Sequence, residues 1–132
     1  YNHRFGLYDM ILVKDNHVDF AGGIANALDG VKKLNAKRKK KLKVEIEART
    51  IEEVKQILQH GGAQRILLDN FKPEELKKAV RLIGDQMATE ASGNINASNI
   101  KAYARCGVNY ISVGALTHSY QSLDLSLKAI SL

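Results

Sequence analysis

The sequence has no tryptophan, a single cysteine and a single proline among its 132 residues. A lone cysteine, Cys106, excludes an internal disulfide framework and is typical of a reducing compartment. No apolar run approaches the roughly 18 residues that a membrane span requires, and no signal peptide is recognisable. We therefore expect a cytoplasmic protein with no membrane partner.

Acidic residues are outnumbered, with 14 Asp and Glu against 20 Lys and Arg, which gives a formal net charge of +6. Such a surplus favours anionic partners, among them nucleic acids and small phosphorylated or carboxylated ligands. The most basic stretch, KRKKKLK at residues 37–43, has no interleaved aromatic residue for base stacking. We interpret it as a solvated loop and expect no nucleic-acid partner.

A strand followed by a helical pattern recurs five times along the chain. The predicted strands are MILVKD, KVEIEA, RILLDN, QMATEAS and VNYISVGALTHS. This alternation predicts an α/β fold with a parallel sheet, either an α/β barrel or a doubly wound sheet. Five units are too few to close an eight-stranded barrel. Because the chain also begins at Tyr1 rather than Met, we expect it to be part of a longer protein.

Local signals set the ends of several predicted helices. A helix-compatible stretch runs from about Val18 to Lys37, with two glycines near its start. Thr50 and Glu53 form a capping box for the next helix, and Gly61 closes it. Pro73 suits the first turn of the helix after that. The helix that follows EASGNI is expected to begin near Asn96 or Ala97.

Every predicted strand ends in polar or small residues, at the edge where α/β folds bind ligands. These residues are Lys14, Asp15, Asn16 and His17; Glu45 and Glu47; Asp69 and Asn70; Glu90, Ser92, Gly93 and Asn94; and Gly114 and Ala115. Five polar ends in five units favour a ligand site over ordinary loop polarity.

The second strand alternates in a way that is unusual for a parallel sheet. Val44, Ile46 and Ala48 share one face, while Glu45 and Glu47 lie on the other. Parallel strands are normally covered on both faces and apolar throughout. A solvent-facing edge strand would explain the pattern by itself. With Asp69 ending the next strand, we favour a site in which the carboxylates meet cations, a metal or a ligand.

Two glycine turns follow the last two strands, in EASGNI and SVGALTHS. Backbone N–H groups at such turns form anion sites. Paired phosphate turns on adjacent strands are typical of barrel enzymes that bind phosphosugars.

Five ordered motifs, HRFGLYDMILVKDNH, VEIEA, LLDNF, EASGNI and YISVGALTHS, closely resemble the quinolinate phosphoribosyltransferases. The resemblance covers essentially the whole chain. It implies that residues 1–132 are the later part of an open, mostly parallel, TIM-barrel-like α/β barrel, without the N-terminal sandwich domain. It also implies a homodimer and Mg²⁺-dependent conversion of quinolinate and phosphoribosyl pyrophosphate to nicotinate mononucleotide, pyrophosphate and CO₂.

The resemblance also implies roles for individual residues. It assigns quinolinate binding to His3, Arg4 and Lys14, with Lys14 also catalytic. It places Glu47 and Asp69, as catalytic groups, near the ribose hydroxyls and the pyrophosphate-bound Mg²⁺. It assigns the 5′-phosphate to the turns at Ser92, Gly93 and Asn94 and at Gly114 and Ala115.

One residue departs from the family pattern. The family turn usually reads Ser-Gly-Gly, and Asn94 stands in place of the second glycine. Asn tolerates a left-handed backbone, so the turn is expected to form.

Three alternatives remain open. They are a related transferase that acts on a monocarboxylate without decarboxylation, a non-catalytic phosphosugar-binding barrel and a basic nucleic-acid module. The cations at His3, Arg4 and Lys14 favour the diacid substrate.

Overall fold

Five strands and five helices make up residues 10–114, the part of the chain that the computed structural model describes. In chain order they are β1 Met10–Val13, α1 Asp15–Ala21, α2 Ile24–Ala36, β2 Lys43–Ala48, α3 Ile51–His60, β3 Arg65–Asp69, α4 Pro73–Ile83, β4 Ala88–Ser92, α5 Ile100–Ala104 and β5 Tyr110–Ile111.

The strands form one parallel sheet in the order β1-β2-β3-β4-β5. A doubly wound sheet reverses its strand order at a switch point, whereas a barrel places each new strand beside the previous one. The α/β prediction is confirmed, and the strand order within the described residues is that of a barrel segment.

The apolar core lies between the sheet and its helices. On the strands it contains Ile46, Ala48, Ile66 and Leu68, and on the helices Val54, Ile57, Leu76, Ala79 and Ile83, all 0% exposed. The helical members recur at three- and four-residue spacing and the strand members alternate, as each geometry requires. Because this face supplies the core, the inner face of the sheet is available for polar residues.

The helix-compatible stretch at residues 18–37 does not form a single helix. The chain forms two helices, α1 and α2, separated by Gly22 and Gly23, which have φ values of 77° and 125°. Two successive residues with positive φ cannot continue a right-handed helix. After the bend, α2 packs against both α1 and β1.

The predicted cap of α3 is confirmed in outline. The Thr50 hydroxyl accepts the Glu53 N–H at 3.1 Å, and Gly61 ends the helix with φ 71°. The Glu53 carboxylate reaches one residue further back than in a capping box and accepts the Arg49 N–H at 2.6 Å. Pro73 occupies the first turn of α4, as expected.

The helix after β4 begins at Ile100, not near Asn96 or Ala97 as predicted. The Asn96 and Asn99 side chains explain the delay because they bond to the backbone locally. The Asn99 amide oxygen accepts the Asn96 N–H, and the Asn96 amide oxygen accepts the Ser98 N–H, at 2.8 and 2.9 Å. Such bonds compete with the helical pattern.

Residues 37–42 of the basic stretch form an exposed loop, apart from the half-buried Leu42, and Lys43 begins β2. Lys41 donates to the Asn35 and Ala36 carbonyl oxygens at 3.0 and 2.7 Å. These carbonyl groups lie at the C-terminal end of α2, where a positive charge stabilises the helix. Among residues 10–114, no helix has the length and apolarity needed to cross a bilayer.

We predict that Ile46→Ala lowers the free energy of unfolding by about 2–5 kcal/mol, because Ile46 is fully buried and leaves a cavity. Leu34→Ala is the matched control, since Leu34 is 56% exposed and a surface change costs less than about 0.5 kcal/mol. Urea unfolding of both variants measures the difference. Equal losses would contradict the core described above.

Candidate functional site at the carboxyl edge of the sheet

Strand β2 lies inside the sheet, between β1 and β3. The alternative interpretation of its alternation, a solvent-facing edge strand, is therefore wrong. Glu45 is completely buried on the inner face, and its Oε1 lies 4.0 Å from Arg65 Nη1. Glu47, two residues further along, is half-buried at the carboxyl end.

Burial and neighbouring negative charge act together on Glu47. Desolvation, followed by the charges of Asp69 and Asp15, raises its pKa to about 7, against opposing effects of Lys14 and Arg49. A carboxyl group with this pKa is about half protonated at neutral pH. The surroundings of Glu47 therefore favour binding of a cation or of developing positive charge.

Asp69 is held firmly at the end of β3. Its Oδ1 accepts the Ser92 hydroxyl and its Oδ2 accepts the Asn70 side-chain amide, both at 2.6 Å. Asp69 and Ser92 are direct partners in the register of β3 and β4. These bonds link Asp69, which forms the predicted acidic pair with Glu47, to the first glycine turn.

The first glycine turn contains two left-handed residues, Gly93 with φ 87° and Asn94 with φ 51°. The expectation that Asn94 can take the place of a glycine is confirmed. Its side-chain amide donates to Asn70 Oδ1 at 3.1 Å, and its carbonyl oxygen accepts the Asn99 side-chain amide at 3.0 Å. These contacts stabilise the conformation that lacks a second glycine.

Asn70 is also left-handed, with φ 56°, and its N–H donates to the Ser92 carbonyl oxygen at 3.0 Å. Sequence reasoning identified Asn70 only as a polar strand end. The turns after β3 and β4 enclose a groove of about 610 Å³. The groove is lined by Asn70, Lys72, Gly93, Asn94 and Tyr103. Its polar amides and one lysine suit an anionic group.

Lys14 directly follows β1, and the pairing of Val13 with Ile46 places it level with Glu47. Its charge lowers the pKa of Glu47, which is consistent with the predicted inward position. Gly114 is exposed at the limit of the described residues. The other predicted site residues, His3, Arg4 and Ala115, lie outside the described residues.

Arg49 forms an ion-pair cluster that sequence reasoning missed. It contacts Glu53 at 2.8 Å, Asp19 at 3.1 Å and Asp15 at 3.9 Å. The hydrogen bonds that Arg49 donates to Glu53 and then to Asp19 raise the pKa of its guanidinium above the ordinary value. The cluster fixes α1 against the start of α3, next to Glu47. The four-residue spacing of Arg49 and Glu53 could have indicated their ion pair. The ion pair with Asp19 gave no such signal, because Asp19 lies 30 positions from Arg49 in the chain.

A further cavity of about 570 Å³ opens at the amino ends of β2 and β3, around Lys43, Val44 and Gln64. It lies at the opposite end of the strands from Glu47 and Asp69. Ligands of parallel α/β folds bind at the carboxyl ends, so we do not assign this cavity to the site.

The residues fit only a limited form of metal binding. Residues 10–114 contain no group of three or more His, Cys, Asp or Glu side chains arranged to hold a metal ion. Mg²⁺, however, is commonly bound by one or two carboxylates together with substrate phosphates and water. Glu47 and Asp69 are close enough to interact electrostatically. Two neighbouring carboxylates could therefore bind a Mg²⁺ ion whose other ligands are substrate phosphates and water.

A parallel sheet in barrel order, with acidic side chains and a glycine turn at its carboxyl edge, is the arrangement of the α/β-barrel class of domain. Comparison with known proteins specifies the family. The C-terminal domain of quinolinate phosphoribosyl transferase matches residues 1–128, and the chain belongs to this family.

Individual relatives agree with this assignment. The chain is 46% identical to the chloroplastic nicotinate-nucleotide pyrophosphorylase [carboxylating] of Oryza sativa. The match covers 96% of this chain and 38% of that protein. The chain is 41% identical to a probable nicotinate-nucleotide pyrophosphorylase [carboxylating] of Bacillus subtilis, with 96% and 43% covered. The Francisella tularensis nicotinate-nucleotide pyrophosphorylase structure matches with a TM-score of 0.80, 41% identity and the same coverages. The chain thus spans less than half of each relative.

We predict that Gly93→Ala disrupts the first glycine turn. A Cβ atom there would lie 2.6 Å from Asn70 Cγ and 2.7 Å from the Asn70 nitrogen, with φ at +87°. Gly62→Ala is the matched control because Gly62 has φ +91° and an added Cβ would meet nothing within 4 Å beyond its chain neighbours. We expect Gly62→Ala to cost about 1 kcal/mol and Gly93→Ala about 1–3 kcal/mol more. Urea unfolding checks this, and equal costs would contradict it.

We also predict a pH dependence of stability that comes from Glu47. Because its folded pKa of about 7 exceeds the ordinary 4.5, the folded state binds the proton more tightly than the unfolded state. Stability from this group is present below pH 4.5 and is lost as pH rises to about 7. With solvent screening of a half-buried group, we expect a loss of about 1–2 kcal/mol.

Glu47→Gln should abolish this loss, whereas Glu52→Gln, whose side chain is 73% exposed, should retain it. Unfolding free energies measured at several pH values between 4.5 and 8 test the difference. An unchanged slope in Glu47→Gln would contradict the assignment.

Proposed function

We propose that the protein to which this chain belongs is a carboxylating quinolinate phosphoribosyltransferase. It would convert quinolinate and phosphoribosyl pyrophosphate to nicotinate mononucleotide, pyrophosphate and CO₂. The observation that carries the proposal is the Glu47–Asp69 pair on the inner face of the sheet, with Lys14 on one side and the Gly93 turn on the other. The family membership and the names of the rice and Bacillus relatives support it.

The acidic pair suits the transfer step. Positive charge develops on the ribose as pyrophosphate leaves, and a carboxylate beside the ring stabilises that charge, as in glycoside chemistry. Because the pKa of Glu47 is about 7, its carboxyl group readily loses the proton at neutral pH when a cationic group approaches. Asp69, held by Ser92 and Asn70, presents a fixed carboxylate to the ribose hydroxyls.

The anionic parts of the two substrates would be bound at opposite sides of the acidic pair. The backbone N–H groups of the Gly93 turn, with Gly114 and Ala115, would bind the 5′-phosphate. Lys14, with His3 and Arg4, would bind the two carboxylates of quinolinate, because a dianion requires several fixed cations. Release of the 2-carboxylate needs an electron sink, which the ring nitrogen provides once it carries the ribose.

Mg²⁺ would be held near Glu47 and Asp69, largely through the pyrophosphate, and would neutralise the charge of the leaving group. We propose no organic cofactor. A homodimer and a cytoplasmic location complete the proposal. Both remain predictions.

The first test is CO₂ release from carboxyl-labelled quinolinate, with phosphoribosyl pyrophosphate and Mg²⁺ present or omitted. We expect release by the full-length protein and little or none by residues 1–132 alone, because the chain spans only 38–43% of its relatives. Turnover by this chain as a monomer would contradict the second expectation. No release by either form would contradict the decarboxylating function.

The second test replaces Glu47 in the full-length protein. We expect Glu47→Gln to lower kcat by about 100-fold, because the loss of a group that stabilises transition-state charge acts on the chemical step. Glu52→Gln on the exposed face of α3 is the control and should leave kcat unchanged. If Glu47→Gln retains full turnover, Glu47 does not have this role.

The same assays distinguish the alternatives. A non-decarboxylating transferase would release pyrophosphate with nicotinate but no CO₂ from quinolinate. A non-catalytic barrel would bind phosphosugar equally well with Glu47→Gln and show no turnover. A nucleic-acid module would show binding that weakens steeply with salt.

A further inference from the structure

The groove between the turns after β3 and β4 contains a lysine to which neither the sequence motifs nor the proposed reaction assigns a role. Lys72 is the N-cap residue of α4, three positions after Asp69. It lines the groove together with Asn70, Gly93, Asn94 and Tyr103. Because Lys72 is the one charged residue among these five, the lining of the groove carries a net positive charge.

The charge of Lys72 is available to a ligand. The residue is exposed, and its ammonium group forms no ion pair within residues 10–114. Glu74 and Glu75 follow in the first turn of α4, but neither of them lines the groove. An ammonium group on a flexible stem can therefore reach an anion in the groove without first breaking a contact in the described part of the chain.

The side chain of Asn94 offers a second donor, and its orientation follows from its neighbours. A carboxylate only accepts hydrogen bonds, so the 2.6 Å contact to Asp69 Oδ2 must come from the amide nitrogen of Asn70. Asn70 Oδ1 therefore faces Asn94 and accepts from its Nδ2 at 3.1 Å. This network fixes which end of the Asn94 amide is the NH₂ group.

An amide NH₂ group has two N–H bonds, and Asn70 accepts only one of them. The second N–H of Asn94 has no acceptor among residues 10–114, and Asn94 lines the same groove as Lys72. The backbone at Asn94 is held separately, because its carbonyl oxygen accepts the Asn99 side-chain amide at 3.0 Å. A glycine, which the family turn usually has at this position, could not supply the second donor.

We propose that Lys72 and the side-chain amide of Asn94 bind the 5′-phosphate of the phosphoribosyl substrate, in addition to the backbone N–H groups of the Gly93 turn. The inference rests on the proposed function, in which that turn holds this phosphate. A phosphate oxygen accepts from an ammonium and from an amide, and the bond to the ammonium is the stronger because both partners are charged. Lys72 therefore contributes more affinity than Asn94.

The test measures binding of ribose 5-phosphate to the full-length protein by calorimetry. Lys72→Met should raise its dissociation constant about tenfold, the usual effect of losing a charge-assisted hydrogen bond. Lys78→Met removes the same charge from an exposed position on α4 and should leave the constant within about twofold. Pyrophosphate with Mg²⁺, which lacks the 5′-phosphate, is the second probe, and its dissociation constant should stay within about twofold in both variants.

Asn94→Gly separates a role in binding from a role in stability. Glycine adopts the observed φ of 51° without strain, so the midpoint of urea unfolding should stay close to the wild-type value. The dissociation constant of ribose 5-phosphate should nevertheless rise about fivefold, because one hydrogen bond to the phosphate is lost. A purely structural role of Asn94 predicts the opposite, a changed midpoint with unchanged binding.

Unchanged binding of ribose 5-phosphate in Lys72→Met or in Asn94→Gly would overturn the inference, as would equal weakening by Lys72→Met and Lys78→Met. A rise for pyrophosphate that matches the rise for ribose 5-phosphate would also overturn it, because the groove would then bind the leaving group.

The same measurements separate this inference from the proposed function. Wild-type protein that binds ribose 5-phosphate but releases no CO₂ would overturn only the proposed function, since the comparison of variants still tests the groove. Wild-type protein that releases CO₂ but does not bind ribose 5-phosphate would overturn only the inference.

Discussion

Charge compensation inside the sheet is the constraint on which the site depends. Glu45 and Glu90 are almost completely buried, and buried carboxylates are stable only when cations or hydrogen-bond donors approach them. Arg65 lies between them and makes the 3.0 Å contact to Glu90. This arrangement lets the inner face of a parallel sheet carry ionised groups where such sheets are usually apolar.

The two faces of the sheet therefore differ in composition and in role. The face toward the helices contains Ile46, Ile66 and Leu68, which supply apolar burial and stability. The inner face contains Glu47 and Asp69, whose mutual repulsion contributes to the raised pKa of Glu47. A site of this kind is destabilising in the free protein and becomes favourable when a cationic or metal-bound ligand arrives.

Much of the fold could be predicted because its signals are local. The strand KVEIEA appears with the expected bounds, and Thr50, Gly61 and Pro73 delimit helices as expected. The errors have local causes that periodicity does not show. Gly22 and Gly23 divide a helix through two positive φ values, and Asn96 and Asn99 delay α5 by bonding to nearby backbone. For the candidate site, Glu47, Asp69 and the Gly93 turn were visible as polar strand ends, whereas the hydrogen bonds that join Asp69 to Ser92 and Asn94 to Asn70 were not.

The sequence by itself determined the order of strands and helices, the family, and which residue types end each strand. These features depend on periodicity, caps and motifs within short segments. Only the tertiary structure decided that β2 is internal, that Arg49 joins Asp19 across 30 positions and that Arg65 joins Glu90 across 25. Such contacts depend on strand register and side-chain direction, because residues distant in the chain become neighbours only when the parallel strands pair.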